Sequence, residues 1–201
     1  VPGATAKGLQ FLEPDPHAGD SARQYDLTLI EFGTNEGNNS RFDVNSYSHD
    51  LRKSLTVFRQ SYPSATCILI GPTDRGVRVP ISKNKKKKVC KGKGKMRKCR
   101  AAPPVHVDLL RFSRIHSAIS KAQAEVGKDF QCDAWSWQEA MGGQGGIYRW
   151  FYQKPSLAQP DLIHLTVAGY RHSANLFLEK LLGNPLFAPS DQNTSVTSGR
   201  P

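Results

Sequence analysis

The sequence predicts an α/β fold, a parallel sheet with helices on both faces, and three observations predict it. Apolar runs of strand length alternate with longer stretches whose apolar residues recur at three- and four-residue spacing. Gly and Pro stand at the junctions between them. Side chains able to do chemistry fall in the segments just after the strands, where sheets of this kind carry their sites. The length of 201 residues suits one domain with a core of its own.

Tyr25-Asp26-Leu27-Thr28-Leu29-Ile30-Glu31-Phe32 reads as the first strand, and Gly33 turns the chain after it. Its apolar residues are nearly continuous toward the end, the pattern of a strand buried on both faces. Residues 44–60 read as a helix with Tyr47, Leu51, Leu55 and Phe58 on one stripe, stopped by Pro63. Residues 66–70 form a second strand that ends at Gly71-Pro72. A polar, Lys-rich connection over 73–104 is too long for a plain α/β loop and reads as an insertion. Residues 107–126 make the next helix, with Leu110, Ile115, Ile119 and Ala122 on its apolar side. Residues 130–135 are a third strand, and Gly142-Gly143-Gln144-Gly145-Gly146 a flexible loop, either a substrate-contacting hinge or a linker. Thr166 caps a last helix through residue 182, with Ala168, Tyr170, Ala174 and Leu178 in its stripe. The tail, 184–201, is rich in Pro, Ser and Thr and reads as frayed.

The net charge of +11 is local. Residues 83–100, bounded by Lys83 and Arg100, hold nine Lys, two Arg and no acid; the other 17 basic residues are matched by 17 acidic ones. The run reads either as a solvated loop or as an attractor of anionic polymer. No aromatic residue interleaves the lysines, so a nucleic-acid partner is not expected. No apolar run is long enough to span a membrane, and Val1-Pro2-Gly3 opens with no Met and no basic-then-apolar leader, as in a chain processed or cut from a longer one. Cys67, inside Cys67-Ile68-Leu69-Ile70, reads as a buried free thiol. Cys90 and Cys99 bracket a short Lys-rich loop, where a disulfide would suit an oxidising compartment. Without a CxxC pair, no metal site is expected.

Asp161-Leu162-Ile163-His164, at the mouth of the last helix, carries the strongest chemical signal. Acyl transfer to a hydroxyl needs a His as general base and a carboxylate that holds its tautomer. A structural His beside a helix-capping Asp is the competing reading. Gly33-Thr34-Asn35-Glu36 puts an amide after the first strand, where an N–H can face a developing oxyanion; a simple turn is the alternative.

The stretches "YDLTLIEFGTNEG" and "DLIHLTVAGY" resemble two of the signature blocks of the SGNH (GDSL-type) hydrolases. "CDAWSWQEAMGG", followed by a segment containing Trp150, resembles the peptidoglycan O-acetylesterase branch. The likeness covers residues 1–183 apart from an insertion at about 76–104. It implies a flavodoxin-like three-layer α/β/α fold and ester hydrolysis without a cofactor. It implies His164 as base, Asp161 as the residue orienting it, Asn35 as oxyanion donor and Gly3, in Pro2-Gly3-Ala4-Thr5, as a second donor. Gly142, Gly143 and Trp150 are the candidates for substrate contact, Trp150 as a glycan-facing ring. An O-acylated glycan is the implied substrate and an extracytoplasmic, periplasmic location the implied compartment. The family's nucleophile block should precede Pro2. Gly19-Asp20-Ser21 matches its letters, but it lies after the Gly3 block with no buried strand leading in, so 17–23 reads as a polar loop. The nucleophilic Ser is therefore expected outside these 201 residues, in an associated upstream segment.

Overall fold

The computed structural model describes residues 4–11, 25–79 and 107–183 in full, and the backbone at 88–91 and 98–101. Gly3, the 17–23 loop with Ser21, and the 184–201 tail lie outside the described residues. Three parallel strands, β1 (Leu27–Glu31), β2 (Thr66–Ile70) and β5 (Cys132–Trp135), form a sheet in the order β1-β2-β5. Within the Lys-rich connection, β3 (Lys88–Lys91) and β4 (Lys98–Ala101) make an antiparallel hairpin with Cys90 opposite Cys99. The side chains of that pair lie outside the described residues. Five helices follow the pattern, α1 (Val44–Ser61), α2 (Arg111–Asp129), α3 (Trp137–Ala140), α4 (Gly146–Tyr152) and α5 (Val167–Leu182).

The period-two alternation of the strands sorts the layers. Ile30, Cys67, Leu69 and Cys132 join Leu51, Leu55 and Phe58 of α1 and Ile119 and Val126 of α2 in one core. On the opposite face, Phe177 of α5 meets Trp135 with ring centroids 5.0 Å apart. The result is the α/β architecture expected, with helices on both sides of a parallel sheet. Asp43 starts α1 by accepting from the N–H groups of Asn45 and Ser46. Thr166 starts α5 the same way, accepting from Gly169.

Several sequence expectations change. β1 is not buried on both faces: Leu29 is 47% exposed, because β2 is the strand's sole neighbour among the described residues. The 142–146 glycines do not form a loose loop; they join the short helices α3 and α4. In α5, Tyr170 and Leu178 are exposed, while Gly169 and Ser173 are buried, so the stripe is rotated from the one read. Cys67 is not a free thiol. The parallel register sets it beside Cys132, and the two form a buried disulfide with Cα atoms 4.6 Å apart. No helix among the described residues is long and apolar enough to cross a membrane.

A second core cluster, Met141, Ile147, Trp150, Leu157, Ala158, Leu162 and Leu165, lies beyond the sheet's carboxyl end. It packs beneath the segment that leads into α5.

Candidate active site

Three loops at the carboxyl ends of the strands build the site. After β1, Gly33 takes φ +117°, a conformation open to glycine, and a Cβ there would press on Ile119 and Pro72. The turn closes with Gly37 N–H donating to Gly33 O at 2.8 Å. Glu36 then ties it down. Its carboxylate accepts from Gly33 N–H at 3.2 Å and from Ala6 N–H at 2.6 Å. Asn35 stands on this braced turn, and its Nδ2 donates to Ala4 O at 2.6 Å. An amide nitrogen carries two hydrogens, so one N–H remains for a ligand.

After β2, Asp74 is wholly buried and fully used. Its Oδ1 accepts from Ser113 Oγ and from Gln138 Nε2, and its Oδ2 accepts from Ile147 N–H at 3.0 Å. One carboxylate therefore joins the β2 loop to α2, α3 and α4. Beside it, Gly76 N–H donates to Leu162 O at 2.9 Å, which fastens the β2 loop to the turn before α5.

That turn holds Asp161 and His164. Leu162 adopts φ +59°, an uncommon conformation for a side chain of its size. It is held there by burial in the second cluster and by donating its N–H to Gln159 O at 3.0 Å. The reversal lets Asp161 Oδ1 accept from the N–H groups of Ile163 at 2.9 Å and His164 at 3.0 Å. Its Oδ2 lies 2.7 Å from His164 Nδ1. Slight burial works to raise the Asp161 carboxyl, but the hydrogen bonds from the His164 ring and from the His164 and Ile163 backbones outweigh it and hold the group below its usual range. An ionised Asp161 accepts, so Nδ1–H donates. His164 O in turn accepts from Gln159 N–H at 2.8 Å, and Leu165 bridges to Ala158. The imidazole is 69% exposed, so its outer nitrogen is accessible. Among the described residues no hydroxyl hydrogen-bonds the ring.

The structure thus joins His164 and Asp161 directly, while Asn35 stands on the loop after β1. It does not support the reading of Trp150. The indole is 6% exposed, packed in the second cluster and against His172 at 5.4 Å between ring centroids, so it supports the His164 turn instead of facing a glycan. Gly142 and Gly143 adopt φ +92° and +78°, with Arg149 donating to Gly142 O. Turn geometry accounts for both. The sequence reading missed Glu36 and the Asp74–Ser113–Gln138 network, whose partners lie too far apart in the chain for spacing to reveal. Among the described residues no cluster of three or more His, Cys, Asp or Glu is placed to hold a metal ion.

No protein-family profile and no curated protein sequence matches the chain. Among solved structures it is similar to a peptidoglycan O-acetylesterase, with a TM-score of 0.55 and 24% identity over 78% of this chain. It spans 37% of that esterase chain. A possible lipase from Chitinophaga pinensis also matches, at 15% identity and a TM-score of 0.43, over 90% of this chain and 80% of that one. The fold is α/β, and the first of these likenesses supports that architecture.

Proposed function

We propose that this chain is part of a serine-type ester hydrolase that removes acyl groups, chiefly acetyl, from a glycan such as bacterial peptidoglycan. The observation that carries the reading is the 2.7 Å contact between Asp161 and His164 Nδ1, with the outer ring nitrogen open. In this reading His164 takes the proton of a Ser hydroxyl as that oxygen attacks the ester carbonyl. Asp161 stabilises the imidazolium that forms. The free N–H of Asn35 receives the oxyanion, with Gly3 N–H as the second donor that the family resemblance implies. The alcohol leaves with the proton from His164, and water, deprotonated by the same base, releases the acid. No cofactor enters.

In this reading the Ser comes from outside these 201 residues. Among the described residues β1 has β2 as its one neighbouring strand, and its other edge supports that assignment. That edge lines a groove of about 760 Å³ with Leu9, Phe58 and Tyr62, and the groove runs to Gly33 and Asn35. A further parallel strand laid in that groove would deliver its carboxyl end to Asn35. The Cys67–Cys132 disulfide favours an oxidising, extracytoplasmic compartment. The Lys-rich connection would then attract a polyanionic wall.

The test is acetate release from O-acetylated peptidoglycan by the full-length protein. Release that falls by about a thousandfold or more in His164→Ala supports the reading, since loss of a triad member removes most of the rate. Equal release by the wild type and His164→Ala refutes the base. No release by either supports the second reading, a catalytically inactive module that binds an anionic glycan or a partner protein. The engagement of Asn35 with Ala4 favours that alternative.

A further inference from the structure

Beside the Asp161–His164 turn two cations, Arg75 and Arg111, share one aromatic ring. The Gly76–Leu162 hydrogen bond fixes the neighbouring Arg75 next to that turn. The Arg75 guanidinium carbon sits 4.3 Å from the centre of the Phe112 ring, and that of Arg111 sits 4.4 Å from it. Two cations share one aromatic ring, although each repels the other. Neither guanidinium makes a hydrogen bond among the described residues, and Arg75 Nε is buried without a partner.

Arg75 stands in the loop after β2 and Arg111 at the start of the 19-residue α2. Asp108, just before that helix, accepts from Leu110 N–H and pairs with Arg114. A cation at the start of α2 faces the positive end of the helix dipole, which disfavours it. Burial and the nearby Arg111 both lower the Arg75 pKa, and Asp161 opposes them. Asp161 sets one negative charge against two cations, and Asp108 pairs with Arg114. A like-charged pair and a buried donor without a partner together call for an anion.

We propose that Arg75 and Arg111 form a carboxylate-binding subsite that recognises an acidic sugar next to the ester His164 acts on. Guanidinium groups match a planar carboxylate in a two-pronged geometry, and Phe112 holds their planes in place. The subsite rests on the esterase reading for its neighbour, but its binding needs neither Ser nor hydrolysis. It would make the site selective for acidic glycans over neutral ones.

The experiment is a nuclear magnetic resonance titration of the full chain. N-acetylmuramic acid and glucuronic acid, each against its neutral methyl ester, separate a lactyl from a uronic carboxylate. At least one acid should bind about tenfold tighter than its ester, the preference one charge-assisted bidentate contact confers. Arg75→Gln and Arg111→Gln should each abolish most of that preference, and His164→Ala should keep it. Arg111 is exposed, so its variant still reads the subsite if Arg75→Gln disturbs folding. Equal binding of both acids and esters, absence of binding, or a preference that survives Arg111→Gln overturns the subsite. So does glucose 6-phosphate binding tighter than either acid. An acid preference in a protein without His164-dependent acetate release keeps the subsite and sinks the esterase reading alone.

Discussion

Single atoms decide much of this site. Gly169, in the first turn of α5, lies so close to Leu157 O that a Cβ there would overlap it. The same carbonyl accepts from Thr166 N–H at 2.9 Å, two residues after His164. Gly169→Ala should therefore lift the start of α5 and move the His164 turn. We expect a loss of about 1–3 kcal/mol in urea unfolding, the usual cost of overpacking, and a disturbed His164 resonance. A second case is His116. Burial pushes its pKa below the ordinary value, against the opposing effects of its contact with Thr73 O and of Asp74. The unfolded chain thus binds a proton more readily than the folded one. That contribution is whole above the unfolded pKa of about 6.5 and is lost as pH falls below it toward the folded pKa. Unfolding free energy should drop on acidification from neutral pH, by at most about 1.4 kcal/mol per unit for this one group. His116→Leu should flatten that limb whatever it does to the absolute stability; an unchanged slope would show that other groups govern it.

At the scale of elements, the disulfide and the buried carboxylate do the joining. Cys67–Cys132 closes a loop of 65 residues between β2 and β5. The chain-entropy view assigns such a closure about 4 kcal/mol. A Cys67→Ala, Cys132→Ala double variant should lose a substantial part of that in denaturant unfolding, and a reductant should destabilise the wild type but not the variant. Asp74 brings α2, α3 and α4 to the β2 loop through three donors. Asp74→Ala leaves Ser113 Oγ–H and Ile147 N–H buried without this acceptor, and a loss of about 3 kcal/mol or more is expected.

Over the whole molecule, local pattern was legible and partners across the fold were not. The α1 stripe of Tyr47, Leu51, Leu55 and Phe58 is buried as the spacing indicates, because a surface helix on a single core obeys its own period. Asp161 and His164 were legible because both lie in one turn, within reach of each other's hydrogen bonds. Cys67 was misread because pairing across a parallel sheet depends on register, which no local pattern carries. β1 was misread because its composition suits a central strand, and the sequence does not say which neighbours are present. Trp150 was misread because an aromatic residue looks alike on a core or on a rim. The contacts that make a site of these loops, Glu36 to Ala6 and Gly76 to Leu162, join segments far apart in sequence.

The central claim is that Asp161 makes His164 a general base, and the ring's tautomer tests it without any nucleophile. Nitrogen-15 spectra of the full chain, with His164 neutral, should show the proton on Nδ1 and a bare Nε2. Asp161→Ala should shift the population toward the Nε2–H form, the one exposed imidazoles prefer. A wild-type His164 already protonated on Nε2, or a tautomer unmoved by Asp161→Ala, would contradict the claim.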